Sequence, residues 1–195
     1  MVIFPRAASL LSIGMLCVAC APAFYERTGT GKFEGRLRLE WIEPDYFIYR
    51  PDPEDPLVYI AADHTQVRPG LMFTDGGSVP RPFWSIPQLG PWDFGPGYIV
   101  HDWLFHQHHC KDPGWEQVDF DRSASLLAEA IKTQMVNDGK EDAAVAWAVY
   151  EAVRLPIARE LWDHGACTRP PAKALVRPDG QPAVPVVIRT YDFGH

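Results

Sequence analysis

Two short stretches concentrate the residue types that could act on a substrate. The first is Thr74-Asp75-Gly76-Gly77-Ser78-Val79-Pro80-Arg81. Asp-Gly-Gly permits positive φ and close approach of backbone amides. Asp75 supplies a carboxylate, Ser78 a hydroxyl, and Arg81 a guanidinium able to grip a carboxylate or other anion through two bonds. Such a site would bind an anion or steady developing negative charge. The same residues also suit a tight turn in which Asp75 caps its own backbone and Arg81 pairs at the surface.

The second stretch is His101-Asp102-Trp103-Leu104-Phe105-His106, preceded by Tyr98-Ile99-Val100. Polar residues within so apolar a segment need partners, because unpaired charge is rarely buried. On a helix, Asp102 and His106 share a face at i,i+4, and His101 lies about 100° away. Apolar surroundings perturb both groups, which is the usual condition of a general base or metal ligand. The competing reading is a buried brace between helix and loop. His106, His108, His109 and Cys110 have poor spacing for a structural zinc site and read instead as a solvated helix end complementing the dipole.

Together, Phe73 to Arg81, then Pro96-Gly97-Tyr98, then His101 to Phe105 resemble a family of uncharacterised bacterial and phage-encoded proteins known only as a domain of unknown function. Its pattern runs Thr-Asp-x-x-Ser-[Val/Ile]-Pro-Arg, a Trp/Pro-rich stretch, and His-Asp-[Trp/Tyr]-Leu-[Tyr/Phe]. The resemblance spans about residues 33 to 165 and points to Asp75, Ser78, Arg81, His101 and Asp102 as the site. It also implies an acidic residue in the next helix, for which Asp119 and Asp121 are the nearest candidates. The His-Asp helix after a Gly-rich turn is similar, more loosely, to that of secreted phospholipases A2, in which the His activates water and the Asp holds calcium. The multiple disulfides of those enzymes are absent.

The elements that must position these residues are legible from periodicity. Phe33, Leu37, Leu39 and Trp41 alternate with Glu34, Arg36, Arg38 and Glu40, the mark of a half-buried strand. Residues 46–50, 57–62 and 66–73 read as further strands. The proline density of 74–96 excludes a helix there. Pro96 suits the first turn of a helix to about His108. Asp119 or Asp121 could cap a second helix with Leu126, Leu127, Ala130, Ile131 and Met135 on its apolar side. Residues 142–163 read as a third helix bent at Pro156 and ended by Gly165, and residues 184–189 as an added strand. The expectation is an α+β fold: a small antiparallel sheet in the N-terminal half packed on about three helices.

The chain has 195 residues, 47% hydrophobic and 22% charged, with formal net charge −7. That length suits one domain, here 33–195. The acidity argues against nucleic acid as a partner, and membrane contact would need an anchor rather than a basic patch. Ala7 to Ala19 is uncharged and follows Arg6, as in a signal peptide over residues 1–19. Cys17-Val18-Ala19-Cys20 resembles a lipobox, in which Cys20 would be acylated, with 20–32 as a spacer. The alternatives are cleavage after Ala21 or Ala23, or a buried helix of the domain. Cys110 and Cys167 remain as a pair, and in an oxidising compartment they suggest a disulfide.

Two functions follow as expectations. One is a lipid-anchored envelope hydrolase with His101 as general base. Asp75, Asp102 and His101 would bind a divalent cation or Asp75 and Asp102 would orient the imidazole, and Arg81 or the glycine amides would stabilise negative charge. The other is a non-catalytic envelope or prophage-derived lipoprotein in which those residues are a brace and Trp84 and Trp92 contact a protein partner.

Overall fold

The computed structural model of the chain describes residues 20–42, 46–75, 92–170, 181 and 184–194. Strands come first and helices follow, giving an α+β fold. The alternating segment forms two strands, not one: β1 (Lys32–Glu34) and β2 (Arg36–Ile42). They part at Gly35, whose φ is 78° and where a Cβ would collide with the Pro56 carbonyl. Only glycine satisfies both demands, and the chain pivots there from one sheet into another. β1 pairs with β4 (Val58–Ile60), and β4 with β5 (Gln66–Val67), in a three-stranded sheet. β2 sits inside a four-stranded sheet in the order β6 (Met72–Thr74), β3 (Tyr46–Tyr49), β2, β7 (Val186–Asp192). Every strand pair is antiparallel. The single sheet expected from the pattern is therefore two.

Residues 20–27 are helical (α1). This part of the expected spacer is docked: Ala21 and Tyr25 are buried, and Phe24 packs on Trp147 and Tyr150. The ammonium of Lys132 donates to the carbonyls of Tyr25 and Thr28, satisfying acceptors at the helix end. α2 (Gly95–Cys110) has proline in its first turn and ends at Lys111, whose left-handed φ of 55° reverses the chain. α3 (Phe120–Asp138) is capped by Asp119, which accepts from the Arg122 N–H at 2.7 Å. The expected third helix is two, α4 (Ala143–Ala152) and α5 (Pro156–His164). A proline forces its predecessor out of helical geometry, and Leu155 is extended, with ψ of 153°.

The principal core is closed by Leu37, Leu39, Tyr49, Tyr59 and Met72 from the sheets against Ile99, Val100, Leu104, Leu126 and Ala130 from α2 and α3. The strand alternation holds through Leu39. Beyond it Ile42 is buried with Ile48 on the opposite face, against Leu71 and Phe73, and Trp41 is half-exposed. Short apolar clusters on both faces of the sheet end explain why strict alternation stops there.

Candidate functional site

The end of β6 meets the middle of α2. Gly70 lets the chain lie against the Trp103 indole, and Thr74 and Asp75 then arrive over Asp102. The Thr74 hydroxyl donates to Asp102 Oδ2 at 2.6 Å, and the Asp75 backbone N–H donates to the same carboxyl group. Asp102 is half-buried, and Asp75 is exposed. Burial, reinforced by the negative charge of Asp75, pushes the Asp102 carboxyl well above the ordinary aspartate range. The two hydrogen bonds favour the ionised form but do not outweigh desolvation.

Helical spacing decides what joins this pair. Asp102, Phe105, His106 and His109 fall at i, i+3, i+4 and i+7 and share one face. All four line a cavity of about 310 Å³. Phe73, Thr74 and Asp75 contribute to its lining, as do Leu161, Gly165, Ala166 and Thr168. The segment after α5 is held to α2 by the Cys110–Cys167 disulfide, whose Cα atoms are 4.7 Å apart. His109 Nε2 adds contacts to the carbonyl of Leu161 at 2.9 Å and of Trp162 at 3.2 Å.

His101 sits apart from this cavity lining. It is buried, its ring centroid lies 4.8 Å from that of Phe105, and its Nε2 has no hydrogen-bond partner among the described residues. Burial lowers its pKa to about 4, so the imidazole is neutral near pH 7. The turn of about 100° between consecutive helical residues explains why adjacent His101 and Asp102 face different surroundings. Asp75, Asp102 and His101 do not converge as a three-donor set. Among the described residues the one such group is His106, Cys110 and Asp112. Ser78 and Arg81, with Gly76, Gly77 and Trp84, lie outside the described residues, as do residues 1–19 of the expected signal. Trp92 is half-buried, edge-on to Phe47, and its carbonyl accepts from Tyr191 and Arg189.

Glu129 was not singled out by the motifs. It is buried on α3 and accepts from the Tyr59 hydroxyl at 3.0 Å and the Ala62 N–H at 2.6 Å. Together with Thr133, which accepts from the Gly31 N–H, it ties the three-stranded sheet to α3. It also borders a second cavity of about 370 Å³ with Arg27, Thr28, Asp63 and Arg122. The signal was a lone acid within Leu126-Leu127-Ala128-Glu129-Ala130-Ile131. Of the acids proposed for this helix, Asp119 is its cap, and Asp121 is exposed, 3.8 Å from Arg154.

The family model described as "Protein of unknown function (DUF1353)" matches residues 54–153. The chain belongs to the DUF1353 family. No curated protein and no solved structure matches it. The DUF1353 span runs from β4 through α4 and includes Asp75, His101, Asp102, Cys110 and Glu129. α5 and Cys167 follow it, so the disulfide joins the family's matched region to a segment beyond it.

Proposed function

We propose that the chain is an exported, envelope-anchored hydrolase that uses the Asp75–Asp102 carboxyl pair for acid–base chemistry. The observation that carries this reading is the half-buried Asp102 carboxyl at the wall of a cavity, raised well above the ordinary aspartate range by burial and by the charge of the exposed Asp75 beside it. A carboxyl raised by burial suits a proton donor, and an exposed carboxylate beside it is placed to serve as base. Asp102 would give its proton to the leaving group while Asp75 accepts a proton from the attacking water. Action as an acid needs the proton on Asp102, so this route does not also use Asp102 to hold a divalent metal. His101, neutral and enclosed, would keep the floor of α2 uncharged. Export is supported by the disulfide, which suits an oxidising compartment, and anchoring by Cys20, which is free and exposed. The acidic chain leaves lipid at Cys20, not a basic patch, as its link to the membrane.

The test is release of soluble fragments from isolated envelope polymer by the purified chain, followed by chromatography. Asp102→Asn is expected to slow release by roughly 10²–10⁴-fold with the fold retained. A second reading, a non-catalytic brace, is favoured by the Thr74–Asp102 hydrogen bond that ties β6 to α2. It would be preferred if wild type releases nothing and Asp102→Asn mainly destabilises the chain.

A further inference from the structure

Next to the cavity, the end of α2 holds a second group of donors. Lys111 adopts φ of 55°, and the N–H groups of Lys111 and Asp112 both donate to the Gln107 carbonyl. This left-handed turn folds Asp112 back against the helix it has just left. Its Oδ2 then lies 3.4 Å from His106 Nε2. Both atoms are buried, and neither makes a hydrogen bond among the described residues. His106 is only 8% exposed, so an imidazole nitrogen is held from a closed position in a long 3.4 Å contact with a carboxylate oxygen. Cys110 Sγ completes the group: the donor atoms of His106, Cys110 and Asp112 all lie within 4.8 Å of one another. Two buried polar atoms in so long a contact are only weakly satisfied by each other and would be better satisfied by a third party between them.

In the oxidised chain the sulfur is unavailable, because Cys110 is bonded to Cys167. The same covalent bond places Arg169, two residues on, where its guanidinium bonds Asp112 Oδ1. One bond therefore keeps both the sulfur and the carboxylate occupied.

We infer that reduction of Cys110–Cys167 creates a zinc-class cation site from His106 Nε2, Cys110 Sγ and the Asp112 carboxylate. A dithiol reductant supplies two electrons and two protons. The S–S bond breaks, two thiols form, and the reductant closes to its own disulfide. Cys110 then gives its proton to solvent as the metal–sulfur bond forms, and release of Cys167 lets Arg169 leave Asp112. The donor set of one thiolate, one imidazole and one carboxylate is that of a borderline-soft divalent ion. Bond lengths of 2.0–2.3 Å place tetrahedral donors about 3.3–3.8 Å apart, so the group needs to close by about 1 Å. Three protein donors leave a fourth position, and His106 lines the cavity, where water or a substrate oxygen would take it. This site is independent of the Asp75–Asp102 pair and stands whether or not that pair catalyses anything.

The test uses the full chain and the metals alone. Zinc uptake is measured by competition with a chromophoric chelator, and cobalt(II) reports thiolate ligation through its sulfur-to-metal charge-transfer band. The oxidised chain is expected to take up no zinc at this site. The chain reduced with a phosphine and the Cys167→Ser variant without reductant are each expected to bind one equivalent and to show the cobalt band. His106→Gln and Asp112→Asn placed in the Cys167→Ser background should each weaken binding by about 10-fold or more. The inference is overturned if Cys167→Ser, folded by circular dichroism, binds no more zinc than Cys110→Ser/Cys167→Ser. It is equally overturned if the cobalt band is absent, or if the His106 and Asp112 variants bind as tightly as their parent.

Discussion

Replacing Asp102 with Asn should change how stability depends on pH, and the sign is fixed by burial. In the unfolded chain an aspartate titrates near 3.9. In the folded chain Asp102 titrates well above that, so between the two values the folded state holds a proton that the unfolded state has lost. Stability then falls with rising pH by up to ~1.4 kcal/mol per pH unit, until the folded value is passed. His101 acts in the opposite sense. Its folded pKa of about 4 lies below 6.5, so the unfolded chain holds the extra proton and stability rises across that window, by about 3 kcal/mol in all. In wild type the two slopes oppose each other over the lower part of the range. Asparagine is isosteric with the neutral carboxyl, and its amide oxygen still accepts from Thr74. It removes the Asp102 slope and leaves that of His101. Other titrating groups are common to both chains, so the stability of the variant minus that of wild type isolates Asp102. This difference should climb with pH by up to ~1.4 kcal/mol per unit. Urea unfolding followed by tryptophan fluorescence at steps from about pH 4.5 to 8 reads it directly. A difference independent of pH, or one that falls, would refute the assignment of a burial-raised carboxyl.

Other outcomes follow from named contacts. Reducing the Cys110–Cys167 bond, which spans a sequence separation of 57, should lower unfolding stability by about 4 kcal/mol through loop-closure entropy; equal urea midpoints with and without reductant would contradict this. Glu129→Ala strands the Ala62 N–H and leaves the Tyr59 hydroxyl only its longer contact with Thr133 Oγ1, and should cost about 2 kcal/mol, whereas Glu129→Gln, which keeps an acceptor, should cost less by the same denaturation assay. Gly31→Ala would drive a Cβ onto the Ile60 carbonyl and the Tyr59 phenol, and a loss of about 3 kcal/mol or insoluble protein is expected. Palmitate incorporation in cells should occur in the wild-type chain and vanish in Cys20→Ser; retained label would remove the lipid anchor at that cysteine.

Much of the fold was readable because it rests on local periodicity. The apolar side of α3, its Asp119 cap, the proline at the start of α2 and the pairing of Cys110 with Cys167 all follow from residue type and spacing. The errors lie where a single residue answers to a distant neighbour. Gly35 looks like an interruption within one strand, and only the Pro56 carbonyl against it explains why the chain changes sheets. Pro156 was read as a bend and is a break, because its extended predecessor separates two helices. In the candidate site, the motifs point to the Asp75 loop folding back onto the His101 imidazole, whereas the Asp75 N–H donates to the Asp102 carboxyl, one helical residue further on. The approach of Asp112 to His106 was less visible, because Asp112 returns to it only through a left-handed Lys111. Glu129 was missed since its partners, Tyr59 and Ala62, lie some seventy residues away in sequence.

The most direct measurement is an NMR titration of the chain carrying ¹³C-labelled aspartate, with the Asp102 resonance assigned by its loss in Asp102→Asn. The Asp102 carboxyl is expected to titrate well above the ordinary aspartate range and, in Asp75→Asn, to move down while staying raised, because burial is the larger cause and the Asp75 charge the smaller. Titration of Asp102 in the ordinary range in wild type, or a value unmoved by removing the Asp75 charge, would contradict a paired acid and base at this cavity.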